Sequence, residues 1–459
     1  MAGLFALSIN PETHKGNFLE DLFWGTFYQQ HLGEEYSGLS TYNVEREEKI
    51  KVRAHQGLFR PAFNNGLEEL EGTEGIGYCG GNNEPYLIDS RLGKISICFS
   101  GNLINLPELL GQFKSFGRAF KRGDDVEMIS ELLIQGEGIV DGIKKMATKI
   151  KGAYSLLILT DEGIYAVRSP DGHWPLIIGE KDGAVAVASD PSGFRNLGFK
   201  FLRDLEAGEI ISIKSGSLKI EDKIPTEKIQ FCSFMWVYTA FANATFEKIP
   251  ASLVRKKLGA ALARRDIEKG FIPDVVIPVP DSGRYHAIGY HQEFCRQMNE
   301  GKIKKLPLYD EGLVKYAYAG RSYLPQNPIK RVIEANIKLL GSSESYRGLE
   351  VAVCDDSIVR GGQTKANLVP KLRALGIKGI HFRISNPELL SYCPWGKTTK
   401  RGELLANRFP TKQERIDYLK VESLECATIE DLIEAIGLPR EWLCIDCDLS
   451  EPQKQKALF

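Results

Sequence analysis

The sequence contains no apolar run approaching the roughly 20 residues that a helix needs to span a bilayer, and no repeat or low-complexity segment. It has no charge excess either. Lys and Arg number 59 against 60 Asp and Glu, a net charge of −1, which gives no electrostatic case for nucleic acid or an anionic membrane as partner. The first residues, Met1-Ala-Gly-Leu-Phe, lack the basic region and cleavage-like site of a signal peptide. Nine cysteines scattered through 459 residues do not make a secreted disulfide framework. A cytoplasmic protein is the expectation, in which clustered cysteines read as metal ligands. Composition is that of a soluble globular enzyme, and the length predicts two or three domains with full-sized cores.

What is present is organised around Glu350-Val-Ala-Val-Cys-Asp-Asp-Ser-Ile-Val-Arg-Gly-Gly-Gln-Thr364. This reads as a buried strand, two adjacent carboxylates (Asp355, Asp356), a small-residue loop and an amphipathic helix over Lys365–Leu375. The free N–H groups and dipole of a helix start suit a phosphate. Two carboxylates would repel a bare phosphate, so they should serve ribose hydroxyls or a bridging Mg²⁺ on the same ligand. A second strand and loop, Asp274-Val-Val-Ile-Pro-Val-Pro280 then Asp281-Ser-Gly-Arg284, carries an arginine suited to another phosphate. In one parallel α/β domain both loops should meet at the carboxyl edge of the sheet.

The N-terminal half differs. Ala153–Leu159 and Ile164–Arg168 flank Thr160-Asp-Glu-Gly163 as a hairpin, Lys94–Phe99 reads as a strand and Val126–Leu133 as a helix. Antiparallel strands with helices set apart predict an α+β sandwich over residues 1–230, and alternating strands and helices an α/β domain over 231–459.

Met1-Ala-Gly-Leu-Phe, Ser100-Gly-Asn-Leu-Ile-Asn105, Asp124-Asp-Val-Glu-Met128, Gly152-Ala-Tyr-Ser155 and Val167-Arg-Ser-Pro-Asp-Gly172 resemble landmarks of N-terminal-nucleophile glutaminase domains. With Val276–Arg284 and Val353–Gly361 they resemble the glutamine phosphoribosylpyrophosphate amidotransferase family of purine synthesis. The resemblance implies an Ntn hydrolase-like αββα sandwich followed by a type I phosphoribosyltransferase domain. It implies that Asp355 and Asp356 bind the ribose hydroxyls and Mg²⁺, and that Ser357, Arg360, Gly361, Gly362, Gln363 and Thr364 hold the 5′-phosphate. Asp281, Ser282, Gly283 and Arg284 would hold pyrophosphate, and Lys315 and Arg321 would belong to a closing loop over Lys315–Tyr323. The chemistry is displacement at the sugar C1 with oxocarbenium character, which needs positioned carboxylates and a cationic clamp on the leaving group.

Departures from the family pattern carry as much information. The family route needs a thiol at the first residue after Met removal, and this chain has Ala2. The arginine of the family's Gly-His-x-Arg-Tyr segment aligns with Gly80, while Gly101 and Asn102 still match the oxyanion donors and Asp125 the acid for the glutamine amino group. Cys79 is a conceivable rescue nucleophile without an adjacent amine base. Gly361-Gly362-Gln363 stands where many members have Gly-Thr-Thr, and Ala317 and Asn336 replace arginines of the closing region, where Gly320 and Lys338 remain.

Cys232, Cys393, Cys444 and Cys447 occupy the positions that carry a [4Fe–4S] cluster in one branch of the family; four thiolates suit Fe–S or Zn²⁺. Cys98, Cys295, Cys354 and Cys426 read as buried apolar residues, and His173 and His286 as structural.

The expectation is a Mg²⁺-dependent phosphoribosyltransferase without glutaminase activity, using free ammonia, or ammonia from a partner, to make phosphoribosylamine and pyrophosphate. It would be a homo-oligomer, with purine nucleotides as inhibitors and no nucleic acid or membrane partner. The alternative is a non-catalytic paralogue that binds phosphoribosyl pyrophosphate or purine nucleotides and regulates an active homologue. A third course is phosphoribosyl transfer to a different nucleophile.

Overall fold

A computed structural model describes residues 2–63, 66–316, 339–341, 346–396 and 401–450. The chain divides into two compact units, Met1–Cys232 with Pro394–Lys397, and Ser233–Cys393 with Thr398–Phe459. The sequence placed the boundary at residue 230; the short segment from late in the chain that joins the first unit has no signal in local pattern.

The first unit runs β1 (Gly3–Ile9), α1 (Phe18–Phe27), β2 (Tyr36–Tyr42), β3 (Ile50–Gln56), α2 (Phe59–Ala62), β4 (Glu74–Gly80), β5 (Tyr86–Ser90), β6 (Gly93–Leu103), α3 (Leu106–Ser115), α4 (Asp125–Leu133), α5 (Ile139–Lys149), β7 (Gly152–Thr160), β8 (Gly163–Arg168), β9 (Ile177–Lys181), β10 (Ala184–Ala188), β11 (Lys200–Asp204), β12 (Glu209–Lys214) and β13 (Ser217–Lys223). A seven-stranded sheet has the order β11-β9-β10-β1-β4-β2-β3, and a six-stranded sheet the order β13-β12-β8-β7-β6-β5. Alternation along β7 explains the layering. Leu157 and Leu159 pack with Leu4, Ile76 and Val187 of the other sheet, whereas Tyr154, Leu156 and Ile158 pack with Met128, Ile129 and Ile143 of α4 and α5. Period-two alternation in a strand covered on both faces gives this division, and each fully buried Leu or Ile contributes about 1.5–3 kcal/mol. Helix α4 starts on Asp124, whose carboxylate accepts from Glu127 N at 3.1 Å.

The second unit is built on α6 (Ala251–Glu268), β14 (Val275–Pro278), α7 (Arg284–Asn299), β15 (Leu308–Tyr309), β16 (Glu350–Asp355), α8 (Val369–Ala374), β17 (Gly379–Ile384), α9 (Lys412–Leu419), β18 (Ser423–Cys426) and α10 (Ile429–Ile436). Its sheet has the order β15-β14-β16-β17-β18 with every pairing parallel. Along β16, Val351 and Val353 join Leu368, Val369 and Leu372 on one face, while Ala352 and Cys354 join Leu262, Ala287, Tyr290 and Phe294 on the other. Burial on both faces is what a parallel sheet with helices on each side requires.

The helix expected over Lys365–Leu375 departs from its pattern. Thr364–Leu368 is a π turn, closed by Val369 N–H bonding to Thr364 O, and α-helical winding resumes at Val369. Pro370 supplies the reason, because it has no N–H to give the carbonyl four residues back and its ring crowds that carbonyl.

Candidate active site

In a sheet of this order the strand sequence reverses between β14 and β16, and ligands bind outside the carboxyl ends of the strands at such a point. Both sequence-identified loops emerge there. Ser282 Oγ donates to Asp355 Oδ1 at 3.2 Å, and Val279 N donates to Cys354 O at 2.9 Å. Gly283 lies so close to β16 that a Cβ on it would overlap the Cys354 carbonyl. The loops meet, as expected of two strand ends in one parallel sheet.

Asp355 Oδ1 also accepts from Asp356 N at 2.9 Å, and Asp356 Oδ2 from Ser357 Oγ at 2.6 Å. Asp356 is buried and Asp355 half-buried. Mg²⁺ is commonly held by one or two carboxylates together with substrate phosphates and water, so this pair fits the donor set. Beyond it the chain turns at Gly361, whose φ of +71° favours glycine. Lys365 N then bonds to Gly361 O at 3.0 Å, so the amides of Gly362, Gln363 and Thr364 precede the first closed turn, where a helix leaves N–H groups without intrahelical acceptors.

The cationic residues are engaged within the protein. Arg284 forks onto Glu311, with Nε at 2.8 Å and Nη2 at 3.1 Å, and reaches Asp281 at 3.4 Å. Lys315 Nζ sits 2.9 Å from Asp281 Oδ2, and Arg360 donates to Glu403 at 2.6 Å. A single chain offers no motif for Glu311 or Glu403, since neither is near its arginine in sequence. Arg321, Gly320, Lys338, Ala317 and Asn336 lie outside the described residues.

In the first unit, Ala2 N donates to Ser100 Oγ at 2.9 Å and its methyl group is buried among Leu4, Tyr78 and Cys98. A Cβ at Gly80 would overlap the Tyr78 hydroxyl and come within 2.7 Å of the Ala2 methyl. Tyr78, which sequence reasoning passed over, therefore fills the space where a side chain at position 80 would start. Its hydroxyl accepts from Asn82 N at 3.2 Å. Asn102 Nδ2 donates to Pro394 O at 2.7 Å, and Trp395 lies against His173 with ring centroids 5.2 Å apart. Asp125 is buried and accepts from Leu103 N at 3.0 Å; the helix-capping role belongs to its neighbour Asp124.

Cys79 is fully buried, its thiol directed at Thr26 O at 3.5 Å, and burial pushes its pKa far up. Neither accessibility nor thiolate character supports a rescue nucleophile. His173 donates from Nδ1 to Gln230 O at 2.9 Å, and burial holds its pKa down to about 3. His286 is likewise buried, between Arg255 O and Val237 O, each at 3.2 Å.

Of the candidate cluster ligands, Cys232 closes the first unit and Cys393, Cys444 and Cys447 belong to the second. Among the described residues, no group of three or more His, Cys, Asp or Glu is arranged to hold a metal ion, so only the donor chemistry of the four thiols speaks for a cluster. Cys98 and Cys354 are buried as expected, whereas Cys295 and Cys426 are half-buried. No helix of the described residues is long and apolar enough to cross a membrane.

Residues 78–196 match the family described as a glutamine amidotransferase domain. The amidophosphoribosyltransferase of Methanocaldococcus jannaschii is 31% identical, over 97% of this chain and 96% of that protein. The Bacillus subtilis amidophosphoribosyltransferase is 30% identical, over 90% of this chain and 86% of its own length. A solved structure of glutamine phosphoribosylpyrophosphate amidotransferase from B. subtilis, complexed with ADP and GMP, gives a TM-score of 0.84 at 28% identity, covering 97% of this chain and 96% of that one. The first unit accordingly has the Ntn hydrolase-like sandwich of a glutamine amidotransferase, and the second the type I phosphoribosyltransferase fold. The chain belongs to the amidophosphoribosyltransferase family.

Proposed function

We propose that the protein binds phosphoribosyl pyrophosphate with Mg²⁺ and transfers ammonia to the sugar C1, releasing pyrophosphate, without hydrolysing glutamine. The observation that carries this reading is the meeting of two loops through Ser282 and Asp355 at the sheet edge, where Asp355 and Asp356 would take the ribose hydroxyls and Mg²⁺. The amides of Gly362 to Thr364 would take the 5′-phosphate. Arg284 would exchange Glu311 for the leaving pyrophosphate, where charge develops as the C1–O bond breaks. Mg²⁺ would neutralise the pyrophosphate oxygens.

The loss of glutamine use rests on Ala2, whose side chain has no nucleophilic atom, and on Tyr78 and Pro394 filling or engaging what surrounds it. The four cysteines supply thiolates for a structural [4Fe–4S] cluster, or for Zn²⁺. A cytoplasmic homo-oligomer, inhibited by purine nucleotides and fed ammonia by solvent or a partner, is consistent with this reading.

The test is pyrophosphate release with ammonium at alkaline pH compared with glutamine. Release with ammonium alone is expected. Equal rates with glutamine would refute the glutaminase assignment, and no release with either would refute the transferase.

The pairing of Arg284, Arg360 and Lys315 with carboxylates favours a second reading, a regulator that binds phosphoribosyl pyrophosphate without turnover. Calorimetric binding with no pyrophosphate release would select it.

A further inference from the structure

The pairing of β16 with β17 formally ends at Asp355 and Ile384, yet the backbone contact continues. Ser385 N donates to Asp355 O at 3.0 Å and Asn386 N to Asp356 O at 2.7 Å. The main chain of both acids is thus held on one side by Ser385 and Asn386. The Asn386 side chain, fully buried, gives one amide proton to Pro387 O and one to Asp448 Oδ1, both at 2.9 Å. Asp448 belongs to the C-terminal segment, which is tied to the residues after Asn386 by further bonds. Leu390 N and Ser391 N donate to Cys447 O at 2.8 and 3.0 Å, and Ser391 Oγ donates to Leu449 O at 2.6 Å.

This contact is costly. Asn386 Oδ1 and Ser385 Oγ are buried with no hydrogen-bond partner, and each such group carries a desolvation penalty that an apolar residue of similar size would avoid. A packing role alone does not account for an amide and a carboxylate here. What the polar pair supplies is anchorage: both amide protons of Asn386 are committed, which holds in place the residue whose backbone N–H meets Asp356 O.

We infer that Asn386 and Asp448 are positioning residues that brace the Asp355–Asp356 pair from the C-terminal segment, and so set affinity for the metal-bound sugar pyrophosphate. The inference rests on the assignment of that pair to substrate binding.

The test uses the full chain and a swap of the two groups. Asn386→Asp sets two carboxylates against each other, and adding Asp448→Asn restores one amide facing one carboxylate. At alkaline pH, Asn386→Asp is expected to raise the KM for phosphoribosyl pyrophosphate about tenfold, the equivalent of one buried hydrogen bond, with kcat little changed. The double variant recovers most of that loss. Amide hydrogen exchange over residues 351–360 of the ligand-free protein should rise in the single variant and return in the double. Unchanged exchange, or a loss of affinity that the swap leaves unrepaired while both variants melt like the parent, would overturn the inference. If the parent binds no phosphoribosyl pyrophosphate but the exchange pattern holds, the bracing stands and the substrate assignment falls.

Discussion

The side-chain amide of Asn102 donates to the carbonyl oxygen of Pro394 at 2.7 Å, so the residue expected to donate to a developing oxyanion has one of its two amide protons committed to the protein's own backbone. Oxyanion stabilisation depends on donors that are preorganised and available. Restoring the thiol should therefore not restore the reaction. Ala2→Cys is expected to release no glutamate from glutamine above background. Adding Tyr78→His and Gly80→Arg reopens the ground beside it, because the tyrosine hydroxyl occupies the position where a side chain at residue 80 begins. Glutamate release by Ala2→Cys alone would show that the site is intact but for one atom.

If the site takes a sugar phosphate as proposed, the acid pair should behave unlike the rest of it. Asp355→Asn and Asp356→Asn each remove a charge that would receive ribose hydroxyls or Mg²⁺. Each is expected to weaken binding of phosphoribosyl pyrophosphate by about 10–100-fold, the range for a hydrogen bond to a charged group. Inorganic phosphate, which would engage only the loop amides and which the carboxylates repel, should bind no more weakly than before. Titration calorimetry with both ligands checks this.

Gly283→Ala places a methyl group on the Cys354 carbonyl. Backbone cannot step aside as a flexible side chain does, so the two loops must part, at about 1–3 kcal/mol for an overpacked site. The expected result is a Tm lower by several degrees and weakened binding of phosphoribosyl pyrophosphate. A variant that melts and binds like the parent would mean the loops are not in contact in solution.

The parts of the fold that were legible from the sequence share a local cause. The β7–β8 hairpin follows from the Asp161-Glu162 turn between alternating strands, and the β16 loop from an apolar strand running into glycines. The meeting of the two loops followed from a general rule about parallel sheets. What could not be read lies in contacts between residues far apart in the chain: Asn102 with Pro394, Arg284 with Glu311, Asn386 with Asp448. Tyr78 was missed for a different reason, since its significance is volume shared with Gly80 and Ala2 rather than a chemical group at a motif position. The π turn was hidden because the Leu368 and Leu372 spacing suits a helix whichever way the preceding turn is wound.

Glu84 gives a pH dependence with a definite sign. It is fully buried, accepts from Phe99 N at 2.6 Å, and burial pushes its carboxyl up to about 8, against the opposing influence of the Phe99 amide and of Arg122, with Asp124 raising it further. Between its unfolded value and about 8 the folded state holds a proton that the unfolded state has released, so this group's contribution to stability falls as pH rises through that window. Glu84→Gln removes the dependence. Compared with the parent, the variant should gain Tm progressively from mildly acidic pH up to about 8 and level off above it. Parallel melting curves across the range would show that Glu84 ionises normally.

The single π turn after the phosphate loop has a consequence for phase. One residue of α-helix corresponds to about 100° of rotation, and a five-residue turn inserts one residue into the winding. The leucines that seat this helix on the sheet and the loop amides at its start are therefore not locked to one angular register, as they would be along an uninterrupted helix. Their relative angle is set by Pro370. The aim of the loop expected to hold phosphate would thus be fixed by an imino acid six residues past Thr364, on the far side of the turn from anything a ligand would touch.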